Sequence, residues 1–344
     1  MTGDQAITAV KVWDVGTTGS TEWASVPIAA GAPSGVAFTP DGAAVVTSGS
    51  AGALDVWDAE TGLRRSAFQG RSTTPSQAVA VSSKGLVAEA AGGLVRTWEL
   101  ATGGLAHSVR PGIVEDLSWS ADGSVLAIAG REGAVWAVRS GRMALTSMGE
   151  RGFRISALEL SSDGRFLATA RVPRGLLDTG ESRVTVWERE TERPVVSVAE
   201  SAEAVSFAPD GGSIATAPVF GPVRVWDAES GEERVRLVGH TGAVNDVEFS
   251  PDGSLLATGS ADGTVRLWDA DEGVELLTLS GHDDAVWDVV FSPDGSKLAS
   301  ASAEGVVRVW ALDVDDLVEI ARHKVTRELT HAECRQYLGA AECG

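Results

Sequence analysis

A chain of 344 residues with 28 basic and 48 acidic side chains carries a net charge of −20. Nucleic-acid backbones and anionic membrane surfaces, which are held by a positive face, are thereby excluded as expected partners. Both cysteines, Cys334 and Cys343, lie in the last eleven residues, which excludes a disulfide-built secreted scaffold. No apolar run approaches the roughly 18 residues of a spanning helix, and MTGDQAITAVKVWDV has no basic segment followed by a long apolar one. The sequence predicts a soluble cytoplasmic protein.

In chain order, the first strand-like segment is VKVWD at 10–14. A turn then recurs: TPDG at 39–42, SSKG at 82–85, SADG at 120–123, SSDG at 161–164, APDG at 208–211, and SPDG at 250–253 and 292–295. The turn glycines are 43, 38, 41, 47, 42 and 42 residues apart, so one supersecondary unit repeats along almost the whole chain. The unit is clearest around FSPDGSLLATGSADGTVRLWD. Val244, Val247 and Phe249 lie in a β-rich run ended by Ser250-Pro251-Asp252-Gly253, in which Pro presets φ, Asp bonds its own backbone and Gly accepts a left-handed geometry. A second strand is expected over 254–260, a third over 265–268 after the ADGT turn, and a fourth over 274–280. Four short antiparallel strands per repeat are the size of a propeller blade, which a solenoid of helices does not produce.

These residues carry a resemblance. Gly239-His240 before the first strand, Asp262 in the second turn and Trp268-Asp269 ending the third resemble the WD40 repeat; Gly281-His282, Glu304 and Trp310 repeat it with Glu for Asp and Ala311 for the last Asp. The resemblance implies an all-β chain forming a WD40 β-propeller. It also implies a hydrogen-bonded network of His240, Asp262 and Trp268 with Thr258 or Ser260 as the hydroxyl, and a second network around His282 and Trp310. Only two repeats have the Gly-His pair, so the others are expected to hold together by packing.

The third-strand tryptophans, Trp13, Trp57, Trp98, Trp136, Trp187, Trp226, Trp268 and Trp310, number one more than the turns. The excess is 10–14, and the last repeat has no fourth strand after Trp310. Closure by 22–29 as the fourth strand of the last blade gives a seven-bladed ring with no open edge. The expected organisation is 1–14 as a third strand or linker left from an upstream repeat, 15–312 as the propeller, and 313–344 as a short α-helical tail. The tail places Leu317, Ile320, Ala321 and Val325 at helical spacing, and Thr330 with Glu333 makes a capping box. VWDVGTTGSTEW before AFTPDG, and ELTHAECRQYL in the tail, are similar to segments flanking C-terminal propellers of actinobacterial signalling proteins of the STAND NTPase and transcriptional-regulator type. That resemblance implies an NTPase or regulatory domain in cis. Cys334 and Cys343 admit three readings: zinc with His323 and His331, a redox pair, or a buried Cys334 with a loose Cys343. No C-x-x-C or H-x-x-x-H spacing organises them, and no metal or cofactor is expected.

No lysine follows a glycine, so the phosphate loop is absent; G-x-S-x-G and H-E-x-x-H are absent too. His107 stands apart from the Gly-His pairs and the tail, and is expected to be structural or exposed. The DAETG and DAESG turns resemble quinoprotein repeats, and SADG the sialidase turn, without the rest of either motif. The expectation is a non-catalytic scaffold binding a protein or peptide, as a sensing or regulatory module of a bacterial signalling protein. The alternative is a propeller enzyme or small-ligand binder using the central channel.

Aligned on the first strand, one column reads Ser34, Gln77, Glu115, Ser156, Glu203, Asn245 and Trp287. It offers Glu115 and Glu203 but no His, Lys or Arg. A tryptophan among acids and amides suits a partner anchor, or else fills the wall between two blades. Repeat four adds VPRGLLDTGES at 172–182 between its second and third strands. Leu176 and Leu177 in that loop are expected on the same face, as a contact or folded back on the blade.

Overall fold

The computed structural model describes residues 24–27, 35–48, 54–68, 74, 76–130, 135–139, 142–145, 153–173 and 180–312, with backbone only over 24–27, 135–139 and 142–145. Among them every regular element is a strand, and the strands form seven four-stranded antiparallel sheets. Six of these blades are built from four consecutive strands, over 35–67, 76–109, 114–145, 153–198, 204–237 and 244–280, here blades 1 to 6. The remaining sheet, blade 7, is composite. Val286–Phe291, Lys297–Ser302 and Val306–Ala311 are joined by Ala24–Pro27, which pairs antiparallel with Val306–Ala311 in the register Ala24↔Val309 to Pro27↔Val306. The first strand of each blade touches those of both neighbours, and blade 7 touches blade 1, so the inner strands make a closed ring. Residues 1–14 and 313–344, and with them the expected leftover strand and helical tail, lie outside the described residues.

The turns work as their composition requires. In 250–253 the Ser250 hydroxyl donates to Asp252 Oδ1 at 2.6 Å, Gly253 N–H donates to Ser250 O at 2.8 Å, and Gly253 has φ +77°. A side chain at such a φ is strained, which is why glycine recurs there. The aspartate oxygen also accepts from the Ser254 amide, so Asp252 ionises below its usual range, held chiefly by the Ser250 hydroxyl.

Burial follows position in the blade. Second strands such as Ala44–Ser48, Val125–Gly130 and Ser213–Ala217 are buried at every residue because both faces are covered by neighbouring blades. The fourth strand Arg64–Ala67 is exposed throughout. The core is therefore a series of interblade layers rather than one centre. One layer packs Val36, Phe38, Val45 and Trp57 of blade 1 on Ala299, Ala301, Val307 and Val309 of blade 7, sealing the ring where its two ends meet.

Candidate functional site

Two hydrogen-bonded chains, one in blade 6 and one in blade 7, link the buried second and third strands to the connection that precedes the blade. Trp268 Nε1–H donates to Thr258 Oγ1 at 2.9 Å, Thr258 Oγ1 lies 2.7 Å from His240 Nε2, and His240 Nδ1 lies 2.9 Å from Asp262 Oδ2. The hydroxyl is thus Thr258; Ser260 instead accepts the Asp262 amide at 3.1 Å. Burial opposes the charge on Asp262, but bonds from His240, Thr264 and the Thr241 amide outweigh it and hold the carboxyl far below its usual range. Blade 7 repeats the chain with Trp310, Ser300, His282 and Glu304 at 2.9, 2.7 and 2.6 Å. Burial lowers the His282 pKa against the pull of Glu304, so a neutral ring donates from Nδ1 and accepts at Nε2. The bond from tryptophan to hydroxyl does not need the histidine. Trp57 to Thr47, Trp187 to Thr169 and Trp226 to Thr216 make it at 2.9, 2.8 and 3.0 Å. In blade 2 the register Val87↔Trp98 puts the buried Glu89 at the hydroxyl's place, and the buried Trp98 Nε1 has no acceptor.

Replacing His240 by Ala leaves Thr258 and Asp262 each short of a buried partner, and a loss on the order of 1–3 kcal/mol is expected. His107, exposed on the outer strand Leu105–Val109, should change stability by less than about 0.5 kcal/mol when replaced by Ala. Urea midpoints of both variants check this, and equal losses would contradict the role given to His240.

The first-strand column owes its geometry to bulges. The ladder between first and second strands skips one residue between Ser76 and Ala78, Val114 and Asp116, Ile155 and Ala157, Val244 and Asp246, and Val286 and Asp288. The skipped residues are Gln77, Glu115, Ser156, Asn245 and Trp287. An unpaired bulge residue is re-aimed out of the ladder, so these side chains gather at one end of the ring. Several are spent on the neighbouring blade: Asn245 Nδ2 donates to Val286 O at 2.7 Å and Ser156 Oγ to Ala202 O at 2.6 Å. Arg154 Nη2 reaches Glu203 at 2.8 Å and Nη1 reaches Glu115 at 3.5 Å, tying blades 3, 4 and 5. A cation therefore stands at this rim beside a column that itself contains none. Arg154 lies two residues before its column position, and only the sideways reach across blades brings it in. Gln77 is exposed, and Trp287 remains 49% exposed. Ser34, Leu176 and Leu177 lie outside the described residues.

Beneath the column a channel of about 520 Å³ runs between the seven first strands. The sequence reading stopped at the column and missed what lies one and three residues further on: Asp116, Asp246 and Asp288 in one tier, Glu159 and Glu248 in the next. The alternation in EDLSW, LEL, DVEF and DVV was the available signal. Each carboxyl accepts a backbone N–H from the next blade. Asp116 takes Leu158 at 2.9 Å, Asp246 takes Val289 at 2.8 Å, Glu248 takes Phe291 at 2.6 Å, Glu159 takes Phe207, and Asp288 takes Val36 at 2.7 Å, closing blade 7 on blade 1. Ser118 and Ser206 accept Leu160 and Phe249 in the same way at 3.0 and 3.1 Å. Burial pushes Asp116 up to about 7 and Glu159 up to about 8, and drives Asp246, Glu248 and Asp288 upward as well. The neighbouring Asp246 carboxyl adds to the rise at Asp288. The channel carboxyls thus act as latches between blades, each with at least one oxygen engaged.

Two segments, 231–269 and 273–311, match the family model described as WD domain, G-beta repeat. Each begins before the fourth strand of one blade and ends with the third strand of the next, so the sequence repeat is staggered against the blade. No curated protein matches the chain. The chain carries WD40 repeats in a β-propeller, an architecture generally used as a protein-interaction scaffold. No helix among the described residues is long and apolar enough to cross a membrane.

Proposed function

We propose that the propeller is a non-catalytic scaffold that captures a protein or peptide on the face carrying the bulge column, with Trp287 as the anchor. The observation that carries this is Trp287 itself: a bulge lifts a large aromatic out of the ladder and leaves it half exposed. Gln77, Glu115, Glu203, Asn245 and Arg154 surround it as a polar rim. The channel reading is weaker, because the titratable groups among the described lining residues are carboxyls already partnered: Asp116, Glu159, Asp246, Glu248 and Asp288 each hold a neighbouring backbone N–H, and Glu115 and Glu203 meet Arg154. Leu176 and Leu177 of the 172–182 insertion extend the same contact in this reading. The finer reading, from the sequence resemblances, is a cytoplasmic sensing or regulatory module of a bacterial signalling protein. Its propeller spans 15–312, preceded by a leftover strand in 1–14 and followed by a docked helical tail in 313–344, with an NTPase or regulatory domain in cis.

An anchor at an interface centre loses roughly 2 kcal/mol or more when truncated. Trp287→Ala, alone and with Leu176→Ser, should weaken binding of a partner captured on the intact chain at least tenfold, with an unchanged thermal melt. Lys84, exposed in the 82–85 turn at the opposite end of the ring, should be silent when replaced by Ala. Calorimetry on the three variants measures this. Unchanged affinity in the tryptophan variants would move the site off this face.

A further inference from the structure

Beside the column, blades 5 and 6 leave apolar surface that the fold does not use. The turn between the second and third strands of blade 5 carries Phe220, 89% exposed, and the connection into blade 6 carries Val238, 74% exposed. Both border a cleft of about 450 Å³ that Val219, Pro222 and Leu237 also line, with Trp268 at its side. Nothing in the turn demands an aromatic. Gly221 already supplies the left-handed residue at φ +110°, and Phe220 packs on nothing that would hide it.

The same rim continues, loop against loop, into a region of opposite character. A Cβ on Gly242 would stand 2.6 Å from the Asp262 amide nitrogen, and one on Gly263 would stand 3.3 Å from His282 O and 3.5 Å from Asp284 O. The 239–243 connection, the 261–263 turn and the 281–285 connection therefore form one continuous edge. It ends in Asp283 and Asp284, both exposed, with Trp287 just beyond. No lysine or arginine among the described residues pairs with either aspartate. The arginines on the third strands of these blades are committed elsewhere: Arg224 to Glu200, Arg266 to Glu275, and Arg308 to Glu304 at 3.8 Å.

We infer that the rim over blades 5 to 7 docks a partner segment in which one large apolar side chain stands close to lysine or arginine. The apolar side chain enters the Phe220–Val238 cleft, and the cations face Asp283 and Asp284. Charge complementarity selects this occupant over a second copy, because another copy would bring a further net charge of −20 to an already acidic edge. The inference rests on the reading that this face binds a protein; it adds where the partner lies and what it is made of.

The probe is a displayed library of random twelve-residue peptides selected on the full chain, followed by fluorescence anisotropy of labelled selected peptides. Selected sequences should pair a large apolar residue with nearby Lys or Arg and be poor in Asp and Glu. Phe220→Ser and Val238→Ser should each weaken binding at least tenfold, and replacing the peptide's apolar residue by Ala should add little further loss in the Phe220→Ser background. The double change Asp283→Asn with Asp284→Asn should weaken binding severalfold and flatten its salt dependence. Phe220 is exposed, so its variant keeps the wild-type melt. Failure to select any peptide, selection of acidic peptides, or full affinity in Phe220→Ser overturns the inference. So does a concentration-dependent dimer in sedimentation that Phe220→Ser abolishes, which would make a second copy the occupant. If Trp287→Ala destroys binding while Phe220→Ser does not, the reading of the face stands and this inference falls. If neither substitution matters, both fall.

Discussion

A chain lacking residues 1–30 unfolds more easily than one lacking only 1–14, by on the order of 3 kcal/mol. The longer truncation removes Ala24–Pro27, which supplies the outer ladder of blade 7 along Val306–Val309. Each net hydrogen bond of a ladder contributes about 0.5–1.5 kcal/mol, and four facing residue pairs set the size of the loss. The exposed strand is also an unpaired edge, so the longer truncation should associate at high concentration. The shorter truncation keeps the whole ladder and the layer that packs Val307 and Val309 on blade 1. Chemical denaturation and sedimentation of the two chains measure this. Equal midpoints would show that the ring closes without the 24–27 segment.

Between pH 6.5 and 8.5 stability falls as pH rises, by about 1.4 kcal/mol per unit for each proton that the fold retains and the unfolded chain releases. The groups responsible are the channel carboxyls. Unfolded, they ionise near pH 4. Folded, burial keeps Asp116 protonated to about 7 and Glu159 to about 8, reinforced in both by neighbouring channel carboxylates and opposed by the N–H groups of Leu158 and Phe207. The native state therefore binds more protons across this window, and raising the pH favours unfolding. Aspartates at the turns do not confuse the result. Asp58, Asp122 and Asp227 are held ionised by side-chain and backbone hydrogen bonds, so their contribution is constant above pH 5. His282, whose pKa burial lowers, costs stability only as pH falls below about 6.5, where the unfolded ring takes up a proton. Glu159→Gln keeps an oxygen for the Phe207 amide but has no proton to lose. It should raise the melting temperature at pH 8.5 and flatten the slope. A wild-type midpoint that is flat or rising from pH 6.5 to 8.5 would contradict buried, protonated channel carboxyls.

The same carboxyls show why binding and stability are separable here. They face the channel, where a ligand would enter, yet each is engaged with a neighbouring strand. The exposed groups that face outward for a partner are on the rim: Trp287, Phe220, Val238, Asp283 and Asp284. Substitutions there should read out in affinity, whereas those in the channel should read out in the melt.

What the sequence determined by itself is local. The turn at 250–253 could be placed because Ser, Pro, Asp and Gly fix it within four residues, and the second strand, expected over 254–260, is Leu255–Ser260. The network of His240, Asp262 and Trp268 was implied by the resemblance to the WD40 repeat, and counting tryptophans against turns pointed to 22–29 as a closing strand, of which Ala24–Pro27 is paired. What only the tertiary structure decided depends on contacts between blades. A bulge is a property of two strands in register, so the outward aim of Trp287 and Glu115 is not visible in either strand alone. Arg154 reaches Glu115 and Glu203 from 39 and 49 residues away, and Asp288 latches Val36 from 252 away. The choice of Thr258 over Ser260 was a matter of ångströms within one blade. The raised ionisation of Asp116 and Glu159 comes from the ring closing over them, since desolvation is produced by neighbours that a linear pattern does not contain.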